Sequence, residues 1–146
     1  MLTTPPITDV AGHLRLVVAR TARRLRQEAG ADLSPSLSSA LAAIDRHGPV
    51  TPSELAEHER VQRPTATRVI SRLEELGLLE RAPDPSDRRS SLITTSVAGR
   101  TLLRRQRSRK NQYLARRLAA LDPDEVATLE RAAVILERML DEEGRR

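Results

Sequence analysis

Apolar residues recur at three- and four-residue steps through most of this chain and give way near its middle to two short strand-like runs. Val10, Leu14, Val17, Val18, Thr21 and Leu25 form the first stripe, with Asp9 as its cap and Gly30 as its stop. Ser34 followed by Pro35 opens a second helix, in which Leu37, Leu41 and Ile44 mark the buried side and Gly48 with Pro49 mark the end. Thr51, Pro52, Ser53 and Glu54 spell a capping box for a short third helix burying Leu55 and Ala56. After a turn at 59–61, a fourth helix starts at Gln62 or Arg63 and runs to Leu76, with Val69, Ile70, Leu73 and Leu76 inward and Gly77 in the left-handed position after it. Leu78 and Leu79 enter a strand, residues 83–87 form an exposed turn, and residues 92–95 return. Ser96 caps a long helix reaching Ala120, with Leu102, Leu103, Gln106, Tyr113, Leu114 and Leu118 on its less polar side. Asp122, Pro123, Asp124 and Glu125 start the last helix, striped by Val126, Leu129, Ala133, Leu136 and Leu140.

The order is therefore four helices, a hairpin and two helices. That pattern predicts a mainly α chain with a small β-hairpin wing, a winged helix-turn-helix over 33–96, with a recognition helix at 62–76 and the wing at 78–95. Such a unit puts one helix in the DNA major groove and a hairpin beside it. A small winged domain cannot bury the long flanking helices, 9–30 and 97–143, so they are expected to bury each other across a twofold axis as a dimerisation region.

Composition narrows the function. The formal net charge is +5, and all of the 25 basic residues but Lys110 are Arg. A basic chain suits a polyanion, but position matters more than total, because 88–121 lacks acids while the winged segment is nearly neutral. The chain has no Cys, which excludes disulfides, thiolate metal sites and thiol redox sensing. His13, His47 and His58 stand apart without metal-ligand spacing, and no nucleophile–base set or phosphate loop occurs, so neither a cofactor nor an enzyme is expected. The chain has no run long enough to span a bilayer and no basic-then-apolar start, so the expected compartment is the cytoplasm, with no membrane partner.

The candidate site follows from arginine placement. Arg63, Thr65, Thr67 and Arg68 occupy the first turns of the fourth helix, where Arg can bond guanine O6 and N7 and Thr can meet a thymine methyl or a phosphate. Ser71 and Arg72 lie deeper and suit phosphates. In the hairpin, Asp87 is placed to hold the Arg89 guanidinium for a narrow minor groove, and Arg88 suits a phosphate. The bland alternative for each is a solvated face. For the basic run Arg100, Arg104, Arg105, Arg107, Arg109 and Lys110, that alternative is preferred to an extended phosphate footprint.

Thr67-Arg68, Leu73-Glu74, Gly77-Leu78, Arg81, Asp84-Pro85, Asp87-Arg88-Arg89 and Gly99-Arg100 stand in an order and spacing that resembles the MarR (multiple antibiotic resistance regulator) family, over roughly Val10 to Leu140. The resemblance implies a homodimeric repressor on pseudo-palindromic double-stranded DNA. It also implies release by a small, often phenolic or lipophilic, effector between the dimerisation helices and the winged domain. Tyr113, the chain's one aromatic residue, is the one ring able to stack on such a molecule. Two positions depart from the family pattern: Gln62 stands where members often carry a Ser, Asp or Asn cap, and Thr95 replaces a usual Leu, predicting a looser hairpin base. An effector-independent architectural DNA-binder and a protein-interaction module remain the alternatives.

Overall fold

The computed structural model describes residues 3–144, which divide into two compact units between Lys110 and Asn111. The elements are α1 (Ile7–Glu28), α2 (Pro35–His47), α3 (Pro52–Glu59), α4 (Arg63–Glu75), β1 (Leu79–Asp84), β2 (Asp87–Thr95), α5 (Val97–Ala119) and α6 (Pro123–Glu143). The mainly α architecture with one hairpin is the winged helix-turn-helix that the periodicity predicts.

Local chemistry sets most boundaries. The Ser34 hydroxyl accepts from the Leu37 amide at 3.4 Å. Thr51 and Glu54 exchange side-chain and backbone bonds, as do Asp122 and Glu125, so both capping boxes form. Asp9 does not cap α1: the helix begins two residues earlier, behind Pro6, and Asp9 sits in its first turn, where a carboxylate favours the helix dipole instead. Gln62 makes no side-chain cap bond, yet α4 still starts at Arg63 because Pro64 presets its first turn.

The core of the first unit is aliphatic. Leu41 and Ile44 of α2, Leu55 of α3, Ile70 and Leu73 of α4, Val50 and Ile93 are fully buried together. Ala66 joins them, one turn before Ile70. Leu76, expected in the core, is 41% exposed because α4 has ended at Glu75 and Leu76 is already its cap.

The hairpin is longer and tighter than the turn chemistry suggested. β1 and β2 pair antiparallel from Leu79↔Thr95 to Asp84↔Asp87, with an irregularity between Pro83 and Asp84, leaving Pro85 and Ser86 as the loop. Val50 adds an isolated antiparallel bridge to Ile93, its amide and carbonyl bonding across at 3.1 and 2.7 Å. The hairpin base is well packed. Thr95 is buried, its hydroxyl donates to Asp45 at 3.1 Å, and its carbonyl accepts from Arg100 at 2.8 Å. A Leu there could not have made the first bond, so the looser base expected from this substitution is not found.

Ser96 joins hairpin to helix. Its hydroxyl accepts from the Gly99 amide at 3.1 Å, capping α5, and donates to the Gly77 carbonyl at 2.7 Å. Gly99 has no room for a side chain, because a Cβ would collide with the Leu78 carbonyl oxygen.

The second unit contains the end of α5 and all of α6. Among the described residues, no helix is long and apolar enough to cross a membrane.

Candidate nucleic-acid interface

α4 is buried along Ala66, Ile70 and Leu73, which fixes what its opposite face displays. With 3.6 residues per turn, Pro64, Thr67, Arg68, Ser71 and Arg72 then point outward, and all five are exposed. Arg63 is exposed on the first turn. Thr65 lies on the flank, half-buried in a small groove lined with Ala66 and Val69 of α4, Leu55 and Glu59 of α3, and Val61. Arg60 ends α3 in the left-handed region, at φ 54°, and turns the chain from α3 into α4. A non-glycine residue there is uncommon, and sequence gives no sign of it.

At the wing tip, the Asp84 carboxylate accepts from the Ser86 amide at 3.0 Å and from the Ser86 hydroxyl at 2.7 Å, folding the two-residue loop onto itself. These bonds, the hydroxyl first, favour the ionised form and hold the Asp84 carboxyl below its ordinary range. Asp87 accepts the Arg89 backbone amide at 2.9 Å. The expectation that Asp87 holds the Arg89 guanidinium is therefore corrected: it fixes the backbone, and the side chain projects without that tether.

The arginines sort into two sets by their partners. Arg81 of β1 donates from Nε and Nη2 to both carboxylate oxygens of Glu74 on α4, and from Nη1 to Ser91 on β2 at 3.1 Å. Its bond to Glu74 keeps the Arg81 guanidinium charged to a higher pH than usual. Arg72 pairs with Glu75 at 3.2 Å. Arg107 lies 3.9 Å from Asp45, and Arg109 reaches Asp32 at 3.3 Å and the Ala29 carbonyl at 3.0 Å. Part of the basic run on α5 is thus spent on structural ties within the first unit. By contrast, among the described residues, the side chains of Arg63, Arg68, Arg88 and Arg89 have no hydrogen bond or ion pair. Four unpaired guanidiniums thus stand on α4 and the wing, beside the paired Arg72 and Arg81.

Chemistry of other kinds is sparse. Among the described residues, no cluster of His, Cys, Asp or Glu could hold a metal ion. The His47 and His58 rings stack at 3.9 Å, a pairing that their spacing in sequence does not reveal. Tyr113 is half-buried on α5 and belongs to the second unit.

Comparison with known proteins agrees with the geometry. The sequence model of the MarR family matches residues 33–91, the segment from α2 through most of the wing. An HTH-type transcriptional regulator of Mycobacterium tuberculosis is 38% identical over 134 residues, covering 91% of this chain and 94% of that protein. The multiple antibiotic resistance protein MarR of Salmonella typhimurium is 34% identical over 100 residues, 68% of this chain and 69% of that protein. Among solved structures, a Pseudomonas aeruginosa protein superposes with a TM-score of 0.81 at 37% identity, covering 93% of this chain and 98% of its own.

Proposed function

Because the chain belongs to the MarR family and is a helix-turn-helix transcriptional regulator, we propose that it acts in the cytoplasm as a homodimeric repressor on a pseudo-palindromic operator, released by a small molecule. In this reading α4 enters the major groove, with Arg68 and Thr67 on base edges, Arg63 beside them, and Ser71 and Arg72 on phosphates. Thr65 contributes from the flank of that face. The wing lies beside the groove, with Arg89 in a narrow minor groove, Arg88 on phosphate and Asp87 setting the backbone between them. Residues 33–96 form the DNA-binding part, and 9–30 with 97–143 form the dimerisation part. No catalytic step belongs to this mechanism.

The observation that carries the reading is the uncompensated set of Arg63, Arg68, Arg88 and Arg89. They stand beside Arg72 and Arg81, whose charges are paired with Glu75 and Glu74. DNA neutralises the unpaired set on binding and releases counterions. Dimerisation is supported by apolar residues left exposed on two helices. Ile7, Val10, Leu16 and Val18 are exposed on α1, and Val134, Met139 and Leu140 on α6. A second copy covering them returns apolar surface to the interior.

The test is footprinting on DNA flanking the protein's own gene. A protected inverted repeat with half-sites about one DNA turn apart, roughly 34–36 Å, is the expected result. Diffuse protection by a folded dimer would instead support an architectural DNA-binder, and a dimer that protects nothing would support a protein-interaction module.

A further inference from the structure

Ser34, Thr51, Ser96 and Asp122 begin α2, α3, α5 and α6, and the side chain of each accepts the backbone amide three residues on. α4 departs from this pattern. Gln62 holds the same place at its start, and its side chain makes no cap bond. Little is left there for a cap to bond. Pro64 carries no N–H, and the Thr65 and Ala66 amides both reach the Gln62 carbonyl, at 3.0 and 3.1 Å. The Gln62 side chain is therefore exposed and, among the described residues, has no hydrogen bond. Its backbone, by contrast, is held from both sides. The Arg60 amide bonds the Glu57 carbonyl at 3.2 Å and the Val61 amide bonds the Ala56 carbonyl at 3.0 Å, which closes α3 onto the turn. Val61 then packs into the small groove beside α4.

We propose that Gln62 selects an adenine in each half-site of the operator, its side-chain amide bonding the adenine N6 amino group and N7 together in the major groove. The inference rests on the repressor reading above and adds the base chosen by the tip of α4. Residues at the N-terminal end of a recognition helix are the ones that meet base edges, and Gln62 stands at that end, next to Arg63. A glutamine amide sets an acceptor oxygen beside an NH₂ donor, and adenine alone presents the complementary donor and acceptor on this edge. Guanine presents two acceptors there and suits Arg instead, so Gln62 and its arginine neighbours prefer different bases. A residue engaged in a cap is turned back onto its own helix, as Ser34 and Asp122 are, and cannot reach a base. Pro64 releases Gln62 from that duty, because it presets the first turn that a cap would otherwise hold. With the backbone already anchored, the contact has only the side-chain torsions of Gln62 to order on binding.

The test is selection of binding sites from a random duplex library by the full-length protein, repeated with Gln62→Ala and Gln62→Ser. Wild type is expected to enrich an adenine at one position of each half-site. Gln62→Ala should lose at least about fivefold of the discrimination at that position, the lower end for one bidentate pair, and keep it at the others. Gln62→Ser, which offers a cap hydroxyl, should lose the same preference with a melting temperature no lower than that of wild type. Replacing the selected adenine by 7-deazaadenine, which lacks N7, should weaken wild-type binding and leave Gln62→Ala binding unchanged. An adenine preference kept at every position by both variants would overturn the assignment while leaving the repressor reading in place. So would equal wild-type binding to adenine and 7-deazaadenine, or a uniform weakening of the variants on all sequences, which is the mark of a phosphate contact. A folded wild-type protein that enriches no sequence would sink this proposal and the repressor reading together.

Discussion

Arg68 and Arg89 are the residues on which the proposed interface most depends, because each is exposed, charged and without a protein partner. Arg68→Ala and Arg89→Ala should each cost about 1–3 kcal/mol of operator binding, and each should lower the salt dependence of binding by roughly one phosphate contact where the side chain meets the backbone instead. Titrations at several salt concentrations separate the two cases, and unchanged affinity in both variants would remove these residues from the site. Asp84 offers a pH test. Its carboxyl is held below the ordinary value by the Ser86 hydroxyl and amide, so it stabilises the wing tip at neutral pH. That contribution persists above the ordinary Asp range, about pH 3.9, and is lost as pH falls through the lower folded value. Carboxyl chemical shifts across an acid titration should show Asp84 protonating later than an unfolded Asp, and Ser86→Ala should move it back up.

The junctions between elements hold the reading head together. Glu74 and Arg81 tie α4 to β1, and Arg81 also reaches Ser91 on β2. Both side chains are partly exposed, so Glu74→Gln should cost no more than about 1 kcal/mol of stability. Its larger effect is expected in faster hydrogen exchange of wing amides and weaker operator binding. Wing exchange equal to wild type would show that the pair does not position the hairpin. Ser96 is more costly to lose. Ser96→Ala removes the cap of α5 and leaves the Gly77 carbonyl without its donor, so a loss of roughly 1–3 kcal/mol is expected in denaturant unfolding.

At the scale of the molecule, the exposed apolar residues of α1 and α6 are the surface that the proposed dimer would cover. Leu140 is 69% exposed in the single chain. If a second copy covers it, Leu140→Glu puts an unpaired charge into the interface on both sides of the twofold axis, costing roughly 2 kcal/mol or more. Sedimentation should then show a monomer fraction absent from wild type, and operator affinity should fall with it. An unchanged dimer would place the interface elsewhere.

Much of this protein is determined by sequence alone, for a local reason. Caps, proline at first helical positions and apolar spacing act within a few residues, which is why α2, α3, α5 and α6 begin where Ser34, Thr51, Ser96 and Asp122 place them. The ordered motifs around α4 and the wing likewise identify the family without coordinates, and so nominate the interface residues. Contacts between distant residues needed the tertiary structure. The Asp45–Thr95 bond joins residues fifty apart, and nothing in either neighbourhood announces it. The same holds for Val50 against Ile93 and for the stacked His47 and His58. Sequence likewise paired Asp87 with the Arg89 side chain, because composition names charges but not directions. The fold turned that carboxylate to the backbone amide and left the guanidinium open to a partner.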